Sequence, residues 1–544
     1  MNQLASDLKA GSLSFTPQIL SEENVSPELG SEERTRGITA SLVALAAVIL
    51  AMCGYYRFAG LVACVAVFFN LLILWGVLQS LGAALTLPGI AGIVLTIGMA
   101  VDANVLVFER YREEFRLSGR VASAIQAGYR KAFSAIVDSN ITTIIAALIL
   151  VQFDSGPIKG FAVTLIIGII ASMFTALFMT RYFFAGWVAN PQHKELKMMD
   201  WVGRTNFDFL AQTRKAVIGS VIVILVGFAL LYSQRHTIFG MDFTGGYSLT
   251  VTVAEKPGVS NYAALAKAAL EANGADSGSV QAQQLSRSNQ LRIRLGMGIE
   301  EVGKPFHGLP DTVEALGASY EYQHNPRIQW VVDALHKGGV DIEASQLASL
   351  NLNWTVMSGQ FSEAMRDNAA YGLGLALLAI LIYITLRFEF KFAIAAVIGL
   401  GQDVMATIGF IALFHMMGLP IEIDLQVIGA IMLIIGYALN DTIIVFDRLR
   451  EDIRLLRKLS FADIINHALN VTLNRTLMTS GTTMLVLLVL VLLGGKTIFG
   501  FALVMLTGVG IGTLSSLFIA PPMLLYFHNR EERKLRSELE LKRV

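Results

Sequence analysis

The sequence has little charge and almost no cysteine. Of its 544 residues, 15% are charged and 2 are cysteines, whereas 54% are hydrophobic. Cys53 and Cys64 lie in apolar segments, where packing explains them better than a disulfide, so they do not report the redox compartment. The chain also lacks a P-loop, an HExxH, a CxxC and a GxGxxG after a strand pattern, which argues against a nucleotide-driven motor and against these metal and cofactor sites. Basic and acidic residues number 42 each, so the charge gives no sign of a nucleic-acid partner, and we expect none.

Apolar sequence is abundant instead, in stretches of about 20 residues that match a bilayer core ~30 Å thick. Eleven such stretches predict a membrane α-helical bundle that is one span short of a six-plus-six arrangement. The predicted spans are roughly 37–56, 59–78, 86–108, 134–153 and 159–184, then 214–232, then 369–387, 391–415, 423–447, 474–494 and 498–526.

One long polar segment, about 235–365, separates two groups of spans and predicts a small α+β domain of the ferredoxin-like type. Alternating apolar residues favour strands there, and apolar residues at helical spacing favour helices. Residues 296–324 contain several glycines and prolines and are expected to form an irregular insertion. The predicted strands are Tyr247–Val253 and Gln290–Leu295, and the predicted helices are Tyr262–Ala272 and a segment around Ile328–His336.

An aspartate stands inside an apolar run, and the same passage recurs far downstream. The first copy, GIAGIVLTIGMAVDANVLVFERYREE, contains Asp102, and the second, GAIMLIIGYALNDTIIVFDRLRED, contains Asp441. Aligning Phe-Glu-Arg with Phe-Asp-Arg superposes Gly98 on Gly436 and sets Asp102 against Asn440, so the two acids lie one position apart. A carboxylate at the centre of a membrane helix costs roughly 2.5–3.5 kcal/mol on insertion scales, so its presence in both copies indicates proton or ion handling.

The repeat continues into the next span of each half. Asp138-Ser-Asn-Ile-Thr-Thr resembles Arg475-Thr-Leu-Met-Thr-Ser, and each precedes an apolar run and a Gly-Phe-Ala. Parallel repeats of this kind build transporters around a site at the repeat interface. We therefore expect these two groups to share one membrane layer with Asp102 and Asp441, where movement of the arginine changes the proton affinity of an acid. Asp403, near the middle of its span, is a further candidate.

The basic residues predict the orientation of the chain. They cluster at 109–131, 181–215, 448–458 and 530–543. The positive-inside rule places these segments in the cytoplasm, so the domain at 235–365 lies outside, as does the N-terminus of an eleven-span chain. Residues 1–36 are polar and show no signal-peptide apolar region, so we expect this chain to be truncated or split from a longer one with at least one more N-terminal span.

These passages resemble the SecD/SecF family of membrane proteins, which assist Sec-dependent protein export and belong to the resistance-nodulation-division superfamily. Residues 1–190 resemble the C-terminal part of SecD in TLPGIAGIVLTIGMAVDANVLVFER and GPIKGFAVTLIIGIIASMFT. Residues 200–530 resemble SecF in GMDFTGGYSLTV, GYALNDTIIVFDRLRE and NRTLMTSGTT. The resemblance covers nearly the whole chain and implies a natural fusion with the pseudo-symmetric bundle of that superfamily.

The resemblance also implies a division of the chain into seven segments. These are a remnant of the SecD periplasmic domain (1–36), five SecD-like spans (37–190), a cytoplasmic linker (191–213), the first SecF-like span (214–234), the extracytoplasmic domain (235–365), five further SecF-like spans (366–528) and a basic cytoplasmic tail (529–544).

Individual residues acquire expected roles in the same way. Asp102 corresponds to the SecD aspartate required for proton-driven function, and Asp441 corresponds to the intramembrane aspartate of SecF. Arg475 corresponds to the arginine of the SecF R-T-x-x-T-S motif, and Asp138 to the aspartate of the SecD D-x-N-x-T-T motif.

Two features depart from the family pattern. Asp403 corresponds to the acid of a SecF His-Asp-Val motif, but Gln402 replaces the histidine, which puts any proton role of that histidine in doubt here. SecD begins with a span and a large periplasmic domain whose mobile head is thought to grip the preprotein, and residues 1–36 resemble only the end of that domain.

The implied function is that of a non-enzymatic accessory subunit of the Sec translocase in the bacterial inner membrane, driven by the proton gradient and without a cofactor. Na⁺ in place of H⁺ stays open. The implied partners are the SecYEG channel, the SecA motor ATPase, the YidC insertase, the unfolded preprotein in transit and membrane lipid. Because one charge crossing ~100 mV supplies about 2.3 kcal/mol, a few protons suffice for a domain rearrangement late in export.

Other interpretations remain open at this point. A small-molecule or lipid exporter of the same superfamily would need larger outer domains. A non-conducting translocon scaffold would not need ionisable aspartates. An intramembrane aspartyl protease would need a Tyr-Asp and Gly-x-Gly-Asp pair, which Val101-Asp102 and Asn440-Asp441 do not match.

The charged residues also have structural explanations. Asp102 and Asp441 can hydrogen-bond to Asn104, Asn440 or Thr442, and Asp138 can pair with a loop arginine. Arg475 can extend to the surface, and Asp403 can serve packing. The pairs Glu109-Arg110 and Asp447-Arg448 can anchor helix ends.

Overall fold

The computed structural model describes residues 21–22, 27–83, 85–153, 155–190, 192, 195–200, 203, 205–235, 237–254, 256, 261–276, 278–284, 289–310 and 322–541. The chain divides into two compact units. The helical unit contains Gly30–Ile238 and Asn368–Val544, and the smaller unit contains Phe239–Asp367 together with the short strand β1 (Ser21–Glu22).

The first half of the helical unit holds five of the eleven helices that are long and apolar enough to cross a membrane, and a sixth follows after the linker. A π-helical turn at Thr175–Met179 joins the two helices of the fifth span. The helices are α1 (Pro27–Tyr56), α2 (Phe58–Ser80), α3 (Leu87–Ser118), α4 (Val121–Leu150), α5 (Gly156–Phe174), α6 (Thr180–Val188) and α7 (Phe209–Ser233).

The smaller unit is a five-stranded antiparallel sheet with the strand order β1-β5-β2-β4-β3. Without β1, its β-α-β-β-α-β connectivity and central first strand make it a ferredoxin-like domain, which confirms the expected fold class. Leu249, Ile293 and Leu335 lie in its buried core. Its elements are α8 (Met241–Thr244), β2 (Gly246–Thr252), α9 (Tyr262–Ala272), β3 (Val280–Gln284), β4 (Gln290–Leu295), α10 (Pro326–Lys337) and β5 (Trp354–Met357), with 3-10 segments at Met297–Glu300, Tyr322–His324 and Ala344–Asn353.

The second half of the helical unit supplies the other five candidate spans, which confirms the predicted number among the described residues. Its helices are α11 (Gly359–Arg387), α12 (Phe390–Met416), α13 (Leu425–Leu455), α14 (Phe461–Leu493), α15 (Lys496–Phe518) and α16 (Ala520–Leu541).

The helices α3 and α13, which carry the two aspartates, form the centre of the bundle. In the most apolar 18-residue stretch of each, 94% of the residues are buried. In the corresponding stretch of α7 only 6% are buried, so α7 lies at the periphery. Short side-chain caps start both central helices, because Thr86 accepts a hydrogen bond from the Gly89 N–H and Asp424 accepts one from the Val427 N–H. Each central helix packs on the helix that follows its counterpart, α3 on α14 and α13 on α4.

Some boundaries differ from the sequence-based expectations. Helix α1 begins at Pro27 rather than at 37, and the other residues of the predicted segment 1–36 lie outside the described part except for β1. Helices α3 and α13 continue to Ser118 and Leu455, well past the apolar runs. The charged residues beyond these runs pair across the two repeats, which stabilises both extensions.

The expected insertion at 296–324 also needs a correction for its first part. Ile299 and Phe306 are buried in the domain core, so this part of the segment completes the fold although it forms no strand or α-helix. Residues 311–321 lie outside the described part of the chain.

Candidate functional site

A buried ion pair joins the two repeats at the centre of the bundle. Arg475 on α14 donates from Nη2 to Oδ1 of Asp102 on α3 over 3.3 Å, and Asn440 on α13 donates to the other oxygen of the same carboxylate. The side chains of Arg475 and Asp102 are only 5% and 12% exposed. Nε and Nη1 of Arg475 are buried without a hydrogen-bond partner. The guanidinium therefore keeps donor capacity that its present ion pair does not use.

Asp441 directly follows Asn440 on α13, but hydroxyl groups hold its carboxylate instead of the arginine. Ser480 donates to Oδ2 of Asp441 over 3.0 Å, and Thr513 donates to the Ser480 hydroxyl over 2.8 Å. Among the described residues Arg475 makes an ion pair with Asp102 and none with Asp441. The two acids thus have different partners. The structure brings three of the five predicted residues together, Asp102, Asp441 and Arg475, and the arginine is bound to Asp102.

Close helix crossings fix this cluster in place. A Cβ atom on Gly98 would lie 3.4 Å from the Thr483 Cα, and a Cβ atom on Gly436 would lie 2.9 Å from the Thr143 Cα. Thr142 also donates to the carbonyl oxygen of Gly436 over 3.2 Å. Small and hydroxyl-bearing residues let membrane helices approach and hydrogen-bond across their interface, so the polar layer of one repeat is held against the other.

Asp138 is buried but has partners outside this cluster. It accepts hydrogen bonds from Tyr383 over 3.0 Å and from Arg387 Nε over 2.5 Å, both on α11. This geometry corresponds to the structural explanation, in which Asp138 pairs with an arginine near a turn. The structure does not bring it into contact with Arg475.

Asp403 on α12 is 3% exposed, and its Oδ1 has no hydrogen-bond partner. Its other oxygen faces α15, where a Cβ atom on Gly512 would lie 3.7 Å from Oδ2. The neighbouring Gln402 also has a buried oxygen without a partner. A buried carboxylate oxygen without a partner is costly, so Asp403 is a polar group that packing alone does not explain.

A second cluster of charges ties the repeats together where α3 and α13 extend past their apolar runs. We call it the inter-repeat ion-pair cluster, and its members are Arg110, Glu113, Lys131, Arg448 and Glu451. Arg110 pairs with Glu451 at 3.1 Å, and reciprocally Arg448 pairs with Glu113. Lys131 reaches Glu451 at 2.9 Å. The sequence predicted only helix-end anchors here, although the acid three residues after the arginine in both copies was a visible signal.

A polar cavity of about 790 Å³ lies between these two clusters and the surface. Its lining includes the buried Leu106 and Arg475 and also Asp200 and Arg116, whose side chains are 36% and 45% exposed. A polar cavity of this size has room for tens of water molecules. Arg475 is therefore connected to solvent on the side of the bundle that carries the basic segments.

Sequence reasoning missed two members of the site, Ser480 and Thr513, which hydrogen-bond to Asp441 directly or through one another. Asn440 was named from the sequence as a possible partner of the two acids, and the structure places it on Asp102. Ser480 lies in the quoted NRTLMTSGTT passage, but nothing in the sequence showed which acid it would contact.

The family model of the protein export membrane protein SecD/SecF, C-terminal region, matches residues 7–190 and 341–530. The SecDF protein translocase subunit of Brucella abortus is 33% identical over 531 residues, which is 97% of this chain and 64% of that protein. The corresponding subunit of Thermus thermophilus is 31% identical over 539 residues, or 99% of this chain and 68% of that protein. The chain thus spans about two thirds of these relatives' length.

Solved structures agree with the sequence matches. A crystal structure of SecDF from Thermus thermophilus, described as a translocon-associated membrane protein, matches with a TM-score of 0.81 at 30% identity and covers 97% of this chain and 67% of that one. SecDF in a super-membrane-facing form matches with a TM-score of 0.70, also at 30% identity, over 93% of this chain and 64% of that one. These relatives are named as translocase subunits and not as enzymes. The chain is a multi-span membrane protein and belongs to the SecD/SecF family of protein-export membrane proteins.

Proposed function

We propose that this chain is an accessory subunit of the Sec protein translocase that uses the proton-motive force to promote late steps of preprotein export. It acts in the bacterial cytoplasmic membrane with the domain at 235–365 on the outer side. Its partners are the SecYEG channel, the SecA motor, the YidC insertase and the preprotein in transit. Family membership supports the export role, because the relatives are named translocase subunits and one is described as translocon-associated.

One observation supports proton coupling above all others. Arg475 is bound to Asp102 of the opposite repeat at 3.3 Å and keeps two unused buried donors, and it also attracts a second acid, Asp441, electrostatically. A cation that can be held by either of two acids makes the proton occupancy of each acid depend on where the cation lies.

The mechanism we propose starts from this pair. A proton that loads Asp102 cancels the charge that holds Arg475, so the guanidinium moves toward Asp441 and shifts α14 against α3. Because α3 packs on α14 and α13 on α4, a shift at this point changes the contact between the two repeats. That movement is passed to the outer domain, which holds the preprotein against backsliding. One proton crossing ~100 mV contributes about 2.3 kcal/mol, so a few per cycle are enough for a rearrangement of packed helices.

Asp403 and Asp138 have secondary roles in this proposal. Asp403 is an additional proton-carrying acid, because its Oδ1 has no partner and it faces the helix that bears Thr513. Asp138 acts through its ion pair with Arg387, which ties α4 to α11 at 2.5 Å and changes when the repeats move. Neither residue touches Arg475, so each is expected to affect coupling less than Asp102.

The test compares export of a Sec substrate into inverted membrane vesicles with and without a proton gradient. Asp102→Asn and Asp441→Asn keep the side-chain shape and remove the ionisable group. Asp447→Asn is the matched control, because it makes the same chemical change six residues further along α13, where the side chain is 26% exposed. We expect both buried variants to lose gradient-dependent stimulation and the control to keep it.

Other outcomes point to the competing functions. Unchanged stimulation in correctly inserted Asp102→Asn vesicles would contradict proton coupling and leave a non-conducting translocon scaffold. Gradient-dependent efflux of small molecules or lipids from the same vesicles, without an effect on export, would instead indicate an exporter of the same superfamily. A Na⁺ gradient applied in place of the proton gradient separates the two coupling ions.

A further inference from the structure

Glu109 is a carboxylate at the rim of the bundle that nothing in the proposed coupling mechanism uses. Its side chain is 14% exposed and is held by groups from three helices. Tyr56 on α1 donates to Oε1 over 2.9 Å, Asn474 on α14 donates to Oε2 over 3.1 Å, and Arg112 on α3 lies 3.4 Å from Oε2. A carboxylate that only anchors a helix end needs water and at most one mobile partner. Glu109 has three defined partners, more than that explanation requires.

The contacts of Glu109 connect it to the ion pair at the repeat interface. Its partner Asn474 is the residue before Arg475 on α14, and Tyr55 in turn donates to the Asn474 oxygen over 2.9 Å. A displacement of Arg475 that carries this part of α14 with it would therefore move a hydrogen-bond donor of Glu109. The two sites share one helix segment.

The polar cavity also connects the two sites. Glu109, Asn474 and Arg475 all line it, together with exposed groups such as Asp200. Arg475 is the member of the buried ion pair that lines this cavity, so a proton released on this side would enter a space that has room for water and that also borders Glu109.

Two other acids that line the cavity, Glu451 and Glu113, are already engaged by cations. Glu451 is bound by Arg110 at 3.1 Å and by Lys131 at 2.9 Å, and Glu113 is bound by Arg110 at 3.2 Å and also by Arg448. A proton arriving at either acid would have to displace an ion pair. Glu109 has one arginine at 3.4 Å and two uncharged donors, and the Tyr56 hydroxyl can accept a hydrogen bond from a protonated carboxyl by rotating.

We propose that Glu109 is the exit carboxylate of the proton path, the group that receives the proton leaving Asp102 and passes it to the solvent of the cavity. The proton leaves Asp102 as the ion pair with Arg475 re-forms, moves through cavity water to the Glu109 carboxylate, and departs to the face that the basic segments assign to the cytoplasm. No electrons move and no bond other than O–H is made or broken. The proposal rests on the proton-coupled function argued above and adds the residue that sets the direction of release.

The repeat supplies a matched control for this residue. Asp447 occupies the position of Glu109 in the second copy, Phe-Asp-Arg against Phe-Glu-Arg. It lies 3.8 Å from Arg110 and is not among the residues that line the cavity. An effect that is specific to the exit path should appear at Glu109 and not at Asp447.

The experiment measures proton flux driven by a membrane potential in proteoliposomes that contain the full chain, with a pH-sensitive dye as the readout. We expect Glu109→Gln to reduce the flux at least tenfold, Glu109→Asp to retain a third or more of it, and Asp447→Asn to stay within twofold of the wild type. Millimolar inorganic phosphate on the cytoplasmic face, which crosses the bilayer poorly and accepts protons near neutral pH, should restore flux to Glu109→Gln. A purely structural role for Glu109 would not respond to phosphate.

Asp102→Asn separates failure of this proposal from failure of the proposed function. Glu109→Gln flux within twofold of wild type, with flux abolished in Asp102→Asn, would overturn the exit role and leave proton coupling intact. Loss of flux in Glu109→Gln that neither Glu109→Asp nor phosphate relieves would also overturn it in favour of a structural role. Equal flux in wild type and Asp102→Asn would overturn both.

Discussion

Arg475 and Asp102 form an ion pair of 3.3 Å that links the second repeat to the first through two side chains that are only 5% and 12% exposed. Buried pairs of this kind add little net stability, because desolvation offsets most of their attraction, yet breaking one partner is costly. Such a pair is well suited to a switch, since its two states differ mainly in where one proton and one cation lie.

The first prediction concerns the energetic coupling of this pair. Arg475→Gln leaves a buried carboxylate without its cation and should destabilise the protein by about 3–5 kcal/mol if the acid stays ionised. Adding Asp102→Asn should recover about 1–3 kcal/mol of that loss, because the buried charge has then gone as well. Thermal unfolding of the detergent-solubilised single and double variants measures this, and strictly additive effects would contradict the pairing.

The second prediction concerns the two glycine crossings, which the repeat makes equivalent but the structure does not. Gly436→Ala places its Cβ atom 2.9 Å from the Thr143 backbone, closer than a carbon contact allows, and should cost about 1–3 kcal/mol as α13 and α4 move apart. Gly98→Ala meets the Thr483 backbone at an ordinary 3.4 Å. We expect the thermal midpoint to fall clearly in the first variant and little in the second. Equal effects would argue against the difference in how closely the two pairs of helices approach.

The third prediction concerns the inter-repeat ion-pair cluster. Glu451→Gln removes the partner of Arg110 at 3.1 Å and of Lys131 at 2.9 Å, and Arg110 is only 9% exposed. This should cost about 1–3 kcal/mol, because a buried cation loses one of its anions and keeps Glu113 at 3.2 Å. The exposed pair of Arg36 and Glu32, with side chains 40% and 35% exposed, provides the control, since Glu32→Gln should cost less than about 0.5 kcal/mol.

Chemical denaturation of the wild type, Glu451→Gln and Glu32→Gln at two salt concentrations completes this test. Salt should weaken the exposed pair more than the buried one, because mobile ions screen surface charges. If Glu451→Gln were no more costly than Glu32→Gln, the cluster would not hold the repeats together.

The sequence was informative where the determining forces are local. Helix α9 has the predicted bounds Tyr262–Ala272, and β4 has the predicted bounds Gln290–Leu295, because the apolar periodicity of each is unbroken. Strand β3, VQAQQ, was missed because its residues have little strand preference and it forms through pairing with β4.

The same distinction applies to the site. A charge in an apolar run is visible in any membrane sequence, so Asp102 and Asp441 were predictable as candidates. Their partners were not, because Arg387 reaches Asp138 across 249 positions and Arg475 reaches Asp102 across 373. The internal repeat aligned Arg475 with Asp138, but only the packing of helices shows that these two residues have different partners.

The last prediction concerns the ferredoxin-like domain and its response to acid. Asp341 accepts a hydrogen bond from Lys256 Nζ over 2.8 Å and faces His336 Nδ1 at 2.5 Å, and these contacts, Lys256 first, lower the pKa of the Asp341 carboxyl below its usual range. A carboxyl whose pKa is lower in the folded state than in the unfolded state stabilises the fold above its unfolded pKa of ~3.9 and loses that contribution as the pH falls through the folded pKa. The Ala254 N–H donates to the backbone carbonyl of Asp341. At pH 6, Asp341→Asn should therefore weaken the protection of this amide against hydrogen exchange. The difference in protection between variant and wild type should shrink below about pH 4. Hydrogen exchange on the full chain, with the exposed Asp333→Asn as control, measures this, and a difference that does not vary with pH would show that the ionised carboxyl is not its source.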